Sequence, residues 1–172
     1  MVISRGFGDS SVQARGQGFR SEVQFTRPAN TTAYTANDVV GSATSAIHEF
    51  TQVGPRGGDV IVFAAELMVN LTAVPSGMSS FRLHLYSLSP TAILDNAAFD
   101  LVAGDRDAYM GFVEFGTPED LGSSLFSQAR FVYMESQLQS AVTSIWGQLE
   151  TRGAYTPTSG EGYRLRIRTI EV

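Results

Sequence analysis

Residues 80–88 have the sequence SFRLHLYSL, and this stretch decides the fold class. Its apolar side chains Phe81, Leu83 and Leu85 alternate with polar ones such as Arg82. A period of two places successive side chains on opposite faces of a β-strand, whereas an amphipathic helix has a period near 3.6. The stretch therefore predicts a strand with one face in a core and the other turned away from it.

Short runs rich in Val, Ile, Phe, Tyr and Thr recur along the chain, separated by Gly, Pro, Asn and Asp. Such runs between turn residues are typical of strands. Helical periodicity is weak, although 92–101 and 119–126 are each expected to hold a helical turn, and no βαβ spacing indicates a parallel sheet. We predict strands at 22–26, 46–53, 59–74, 80–88, 109–115, 129–135, 144–151 and 163–170.

About eight or nine antiparallel strands without an internal repeat predict an all-β domain, a β-sandwich or jelly roll. The length of 172 residues suits one such domain. Residues 1–20 differ from the rest, since they are rich in Gly, Ser and Arg and bury little. We therefore divide the chain into an extended N-terminal arm, residues 1–20, and a β-sandwich domain, residues 21–172. The arm is either a flexible tail or a segment that orders on a neighbouring subunit, with Phe7 and Phe19 as anchors.

The composition excludes several kinds of chemistry. The chain has no cysteine and no lysine, so disulfides, thiolate nucleophiles and Schiff-base lysines are ruled out. A net charge of −5 argues against a nucleic-acid partner, because phosphate binding needs a basic face. The sequence has no apolar stretch long enough for a bilayer and none typical of a signal peptide, so no membrane partner is expected.

No catalytic, cofactor or metal site is predicted, and we expect the protein not to be an enzyme. His48 and His84 fall within predicted strands and are interpreted as surface or interface histidines. Glu66 and Glu114 are interpreted as acidic residues on an exposed sheet face rather than a glycosidase pair. The acidic loop 95–107 is interpreted as turn chemistry, with cation binding left open. A pocket in which a histidine meets an acid and a hydroxyl at bonding distance would contradict this interpretation.

The last predicted strand carries a stripe of three arginines, Arg164, Arg166 and Arg168, on one face. One interpretation is that the stripe binds an acidic partner surface or acidic residues of the next subunit. The other is a solvated face that protects an edge strand from aggregation. Together with Phe7 and Phe19, these arginines form the predicted partner interface.

Four aromatic residues, Trp146, Tyr133, Tyr109 and Phe112, have two interpretations. Flat aromatic faces suit carbohydrate, so the four could form a sugar-stacking platform. Core packing is the commoner use of such side chains. Burial of Trp146 would argue against the platform.

Residues 27–41, RPANTTAYTANDVVG, resemble an opening found in virion proteins of tailed bacteriophages, in which an extended strand is followed by Tyr-Thr-Ala-x-Asp-Val-Val/Ile-Gly. Residues 83–90, 95–100, 105–106 and 109–112 resemble the same group and follow in the same order. The resemblance extends from Arg27 to Phe115, about half of the chain. It implies a capsid decoration or cement protein with a jelly-roll core, which sits at symmetry axes and bridges major capsid subunits.

The expected function is therefore that of a virion structural protein on the outer surface of a capsid, assembled in the host cytoplasm. The expected partners are the major capsid protein and further copies of this chain, as a dimer or trimer, since symmetric oligomers are usual. The alternative is a phage tail or adhesin-type β-sandwich module that binds carbohydrate. The sequence leaves capsid or tail location, symmetry axis and copy number open.

Overall fold

A computed structural model describes residues 17–172, and the regular structure in this range consists of strands and one short 3₁₀ turn at Ala103–Asp105. No helix within these residues is long and apolar enough to cross a membrane. The strands are β1 (Gly18–Thr26), β2 (Val39–Val40), β3 (His48–Phe50), β4 (Asp59–Val69), β5 (Phe81–Tyr86), β6 (Tyr109–Phe115), β7 (Glu119–Asp120), β8 (Leu125–Gln137), β9 (Ile145–Thr151) and β10 (Gly162–Glu171).

The strands form two antiparallel sheets packed face to face. The first sheet has the spatial order β1-β10-β4-β8-β7, and the second has the order β2-β9-β5-β6, with β3 also paired to β9. If β2 and β3 are counted as a single strand and β7 is omitted, eight strands remain. Numbered in chain order, the first sheet then contains the first, eighth, third and sixth strands, side by side in this order. The second sheet then joins the second, seventh, fourth and fifth. This order is that of a jelly roll, so the predicted fold class is confirmed.

The predicted strands agree with the observed ones except at their ends. The run 46–53 holds only the three residues of β3, and the run that begins at Asp59 ends at Val69. The helical turns expected at 92–101 and 119–126 are absent, since the first is irregular and the second holds β7 and the start of β8. The first strand begins at Gly18, so the last residues of the predicted arm are paired with β10. Residues 1–16 lie outside the described residues, and the role of the arm stays a prediction.

The core lies between the two sheets and follows the period-two pattern. Leu83 and Leu85 of β5 face Leu67 of β4 and Leu165 of β10, and all four are fully buried. Gly147 of β9 also faces inward, and a side chain there would collide with its neighbours, since an added Cβ would lie 2.9 Å from Leu83. Burial of the two inner faces against each other is therefore the main driving force for the fold.

The outer face of the second sheet is covered by the long connection between β5 and β6, residues 87–108. Phe99 donates its backbone N–H to Asn37, and Ala97 accepts the N–H of Val39 beside β2. Gln148 of β9 donates its side-chain N–H to the carbonyl of Thr91 at 3.0 Å. These bonds hold the connection against the sheet, so side chains that point away from the core are also buried here.

A buried ion pair joins this connection to the segment that follows β1. The guanidinium of Arg27 has no exposed area and donates to the Tyr34 hydroxyl at 2.7 Å and to Asp95 at 3.3 Å. Asp95 also accepts the Tyr34 hydroxyl proton at 2.5 Å and the backbone N–H of Gly41 at 3.0 Å. Because a buried charge is costly unless it is paired and hydrogen-bonded, this cluster fixes both segments in place.

Replacing Arg27 with Met tests the importance of this cluster. The change leaves Asp95 buried without its counter-charge, so the free energy of unfolding is expected to fall by about 3–5 kcal/mol. Urea denaturation at neutral pH measures the effect. The control is Arg56→Met at an exposed loop position, expected to change stability by less than about 0.5 kcal/mol. Equal stability of the two variants would contradict the assignment.

Candidate functional site

The three arginines of β10 lie on the outer face of the first sheet, as their alternation predicted. The strand itself is central, with β1 on one side and β4 on the other. The interpretation that the arginine stripe protects an edge strand is therefore wrong, because both edges of β10 are paired.

Arg166 is the centre of a charged ladder that crosses three strands. The register places Glu22 of β1 and Glu66 of β4 directly opposite it. Arg166 donates to Glu22 at 2.7 and 3.1 Å and to Glu66 at 2.5 Å, and Arg168 donates to Glu66 at 2.8 and 3.2 Å. The chain itself therefore supplies the acidic partners that the sequence analysis assigned to another surface.

The two glutamates of the ladder are held in their ionised form. Hydrogen bonds from Arg166 and from Gln24 lower the pKa of Glu22 to about 2. Burial would raise the pKa of Glu66, but the hydrogen bonds from Arg168 and Arg166 outweigh it and lower that pKa. Arg168 keeps 46% of its side chain exposed, so it remains available to a partner. That the stripe contacts a partner stays a prediction.

The two phenylalanines of the predicted interface fall in different parts of the chain. Phe7 lies outside the described residues. Phe19 lies in β1 opposite Thr169 of β10, and its side chain is half-buried at the edge of the first sheet. Phe19 thus belongs to the folded domain, and its role as an anchor is still a prediction.

A bulge between β4 and β8 forms an exposed aromatic surface. Val62 pairs with Met134 and Ala64 with Arg130, so residues 131–133 of β8 lie opposite the single residue Phe63 of β4. Phe131 adopts a φ of 59° and is 96% exposed, and Tyr133 is 75% exposed. We call Phe63, Phe131 and Tyr133 the aromatic bulge.

A groove runs beside the aromatic bulge on the outer face of the first sheet. It has a cavity volume of about 350 Å³, with Phe63 and Phe131 at one end and Glu66 and Arg168 of the ladder at the other. This surface was not predicted from the sequence. Residues 129–135 alternate like a regularly paired strand, so nothing in their pattern indicates that residues 131–133 lie opposite a single residue of β4.

His48 is buried in the core, so its interpretation as a surface histidine is wrong. It belongs to the inner face of the short strand β3 and is 2% exposed. Its ring stacks on Phe25 of β1 with centroids 4.2 Å apart, and Nε2 lies 3.4 Å from the Val40 carbonyl oxygen. Burial lowers the pKa of His48 to about 4, so the ring is neutral at physiological pH.

His84 is also buried, because the connection 87–108 covers the face of β5 from which it projects. Its Nε2 lies 2.7 Å from a carboxylate oxygen of Glu150, and its Nδ1 lies 3.0 Å from the Tyr109 hydroxyl. Burial would raise the pKa of Glu150, but hydrogen bonds from His84 and Arg152 outweigh it and lower that pKa.

This cluster contains the acid, histidine and hydroxyl that would suggest catalysis. However, Phe99 stacks on the His84 ring at 3.8 Å, and the residue is 4% exposed. Phe99 thus closes this face of the ring to solvent. Through the same stacking contact, Phe99 attaches the connection 87–108 to the second sheet.

The acidic candidates are not brought together. Glu66 lies in the ladder of the first sheet, whereas Glu114 of the second sheet accepts a hydrogen bond from Arg82 at 2.6 Å. In the acidic loop, Asp105 accepts hydrogen bonds from Thr91, and Asp95 belongs to the Arg27 cluster. No group of three or more potential metal-ligating side chains occurs among residues 17–172.

The four aromatic residues of the predicted sugar platform do not share one surface. Trp146 and Tyr109 lie opposite Tyr86 on the second sheet, whereas Tyr133 belongs to the bulge of the first. Trp146 is half-buried. The Arg82 guanidinium lies 4.4 Å from the ring centroid of Phe112, which is 45% exposed. A platform made of these four residues is therefore wrong, and exposed aromatic surface is instead concentrated at the bulge.

No protein-family model matches the chain, and neither does any curated protein. Similar solved structures include the BFDV capsid protein, with 10% identity over 92% of this chain and all of that one and a TM-score of 0.38. A capsid chain of Ralstonia phage GP4 has 14% identity over 92% of this chain and 86% of that one, with a TM-score of 0.39. The Bacillus thuringiensis delta-endotoxin Cry8Ea1 has 9% identity over 83% of this chain and 20% of that one, with a TM-score of 0.35. At these values function cannot be transferred, and the jelly-roll assignment rests on the strand order.

Arg166→Met tests the ladder, with Arg164→Met as the matched control on the same strand and face. Loss of Arg166 leaves Glu22 and Glu66 without their shared donor, so we expect a destabilisation of about 1–3 kcal/mol in urea denaturation. Arg164 contacts the Met68 sulfur at 2.9 Å and makes no ion pair within residues 17–172, so its loss should cost less. An equal loss in both variants would contradict the ladder.

His48→Phe tests the burial of the core histidine. Between pH 6.5 and 4 the unfolded chain binds a proton at His48 that the folded chain does not, so stability falls as the pH falls through this window. The difference amounts to about 2–3 kcal/mol at pH 4.5. The Phe variant should therefore lose about that much less of its free energy of unfolding between pH 7 and pH 4.5. Urea denaturation at the two pH values measures the difference. Parallel pH dependence of the two proteins would show that His48 does not titrate this way.

Proposed function

We propose that this protein is a virion structural protein, a capsid cement or decoration protein that binds the outer surface of the major capsid shell and stabilises it. The aromatic bulge is the observation that carries the proposal. It presents Phe131 and Tyr133 to solvent on the outer face of the first sheet. On this proposal the protein is located on the virion, after assembly in the host cytoplasm.

The bulge has a cost within the isolated chain. A non-glycine residue in the left-handed region, as at Phe131, costs about 1–2 kcal/mol, and the exposed ring gains no packing in return. Strain of this kind is usually found where a residue serves a function. Aromatic side chains are also the commonest residues to dominate binding energy at protein interfaces. Both features support a role of the bulge in contact with another protein.

The buried polar groups support binding rather than catalysis. Arg27 and Asp95 neutralise each other, and His84 and Glu150 engage each other beneath Phe99. These ionisable groups hold segments of the fold together and are closed to substrates. A rigid body with reactive groups committed to structure suits a protein that acts through its surface.

Attachment to a shell would involve several surfaces at once. We propose that the chain self-associates as a dimer or trimer, and that the part of the predicted arm that precedes β1 lies across the shell or a sister subunit with Phe7 as an anchor. Arg168 would face an acidic part of the shell beside the bulge. Several weak contacts on a repetitive lattice give a high overall affinity.

A second candidate is a phage tail or adhesin-type module that binds carbohydrate. The exposed rings of Phe131 and Tyr133 favour it, because exposed aromatic faces can stack on sugar rings. A glycan array separates the two candidates. Binding to a defined glycan that depends on Tyr133 would favour the module over the capsid protein.

The test of the capsid proposal uses the double variant Phe131→Ser/Tyr133→Ser. The purified protein is added to expanded shells that lack it, and occupancy is measured by sedimentation and electron microscopy. If each ring contributes as interface aromatics usually do, the apparent affinity should fall by about 30-fold or more.

The matched control is Leu94→Ser. Leu94 is 67% exposed but lies in the connection that covers the second sheet, away from the bulge. This variant should occupy the shells like the unmodified protein. Full occupancy by the double variant, or no binding of the unmodified protein, would contradict the proposal.

A further inference from the structure

The outer edge of β1 is a pairing surface to which no role has been assigned so far. Among residues 17–172, β1 pairs with β10 on one side, and no strand occupies its other side. Its nine residues keep a continuous register with β10, without a bulge and without proline. A long, regular edge strand of this kind readily pairs with another strand.

The other sheet edges in the described part of the chain are blocked or short. The outer edge of β8 is interrupted by the aromatic bulge, and its beginning is covered by β7. On the second sheet, β6 has a register shift and a positive φ at Gly111, and β2 and β3 have only two and three residues. Bulges and short strands protect edges against pairing, and β1 has neither protection.

Two backbone bonds show which groups of β1 face outward. Arg27 donates its N–H to Glu161, and Glu171 donates its N–H to Gln17, so odd-numbered residues of this segment bond to the β10 side. In an antiparallel strand, alternate residues direct both N–H and C=O to opposite sides. The even-numbered residues from Gly18 to Thr26 therefore direct their donors and acceptors to the outer edge, where no strand from residues 17–172 pairs with them.

We propose that two copies of this chain pair through β1, antiparallel about a two-fold axis at Ser21. This register places Arg20 opposite Glu22 of the second copy and Gly18 opposite Gln24 of the second copy. Only even-numbered residues then form the hydrogen-bonded pairs, as the free groups require. The two first sheets become one continuous sheet, and the interface is self-complementary, as two-fold symmetry demands.

The charges on β1 select this register over its neighbours. A two-fold axis at Glu22 would place the glutamates of the two copies opposite each other, and an axis at Arg20 would do the same with the arginines. Both arrangements bring like charges together, which is unfavourable. An axis at Ser21 makes two Arg–Glu pairs, while an axis at Val23 makes none. Arg20 is 58% exposed and lies 3.3 Å from its own Glu22, so it can reach the second copy without breaking the ladder.

The inner side of β1 fits the same arrangement. Phe19 and Val23 point toward the core side of the sheet but remain half-buried, because no strand of the described part of the chain lies beside them at the outer edge. In the proposed dimer, Phe19 lies opposite Val23 of the second copy. The pairing would cover apolar surface that the single chain leaves partly exposed, which gives Phe19 its role at the interface.

The first test measures the mass of the full chain by light scattering over a concentration series. We expect twice the chain mass of 18.6 kDa. Arg20→Pro removes an N–H that faces the outer edge and makes no bond to β10, so the fold should persist while the dimer weakens about ten-fold or more. Circular dichroism and thermal unfolding verify the fold of the variant.

The second test uses the absence of native cysteine to determine the register by crosslinking. Ser21→Cys places two thiols opposite each other in a pair without mutual hydrogen bonds, with Cα atoms about 4.5 Å apart, which suits a disulfide. In the control Val23→Cys, each thiol lies opposite Phe19 of the other copy. The two thiols are then four residues apart along the strand, about 13 Å, which is too far for a disulfide. Oxidation should link the first variant and not the second.

Three results would overturn the proposal: a monomer or trimer in solution, a dimer unaffected by Arg20→Pro, or crosslinking of Val23→Cys in preference to Ser21→Cys. The tests need no capsid, so their failure would leave the shell-binding proposal intact. Conversely, loss of shell binding would not alter the mass in solution.

Discussion

The buried guanidinium of Arg27 is the contact on which the covering of the second sheet depends. Arg27 follows β1 directly. Through Asp95 and Tyr34 it joins the segment between β1 and β2 to the connection that covers the second sheet. That cover in turn closes the surroundings of His84 and Glu150. The paired charge of Arg27 thus holds in place a cover without which the outer polar residues of the second sheet would be open to solvent.

The sequence was sufficient for the fold class because period-two patterning depends on short-range geometry. Phe81, Leu83 and Leu85 are all fully buried, as their alternation predicted, and the same holds for Leu165 and Ile167 of β10. Strand ends were less accurate, as at β3, because pairing with a neighbour decides where a strand stops. The prediction that arginines and core residues of β10 occupy opposite faces was correct, whereas its position inside the sheet depended on long-range pairing.

The parts of the site that were missed depend on contacts distant in sequence. His84 alternates like a surface residue, and only the fold of residues 87–108 over β5 buries it. Arg166 finds Glu22 and Glu66 across 144 and 100 positions of the chain, which no local pattern reveals. The bulge at Phe131 arises from a mismatch between β4 and β8, so it belongs to the pair of strands and to neither sequence alone.

The pairing of β1 with β10 has a consequence for biosynthesis. The first strand cannot complete its sheet until the last strand, about 140 residues later, has left the ribosome, because β10 separates β1 from β4. Such non-local topology slows folding and makes it cooperative over the whole length. A prematurely terminated polypeptide would thus lack β10, and β1 would have no partner in the first sheet. A chain that ends before β10 would therefore fail to close the first sheet, however well its other strands are paired.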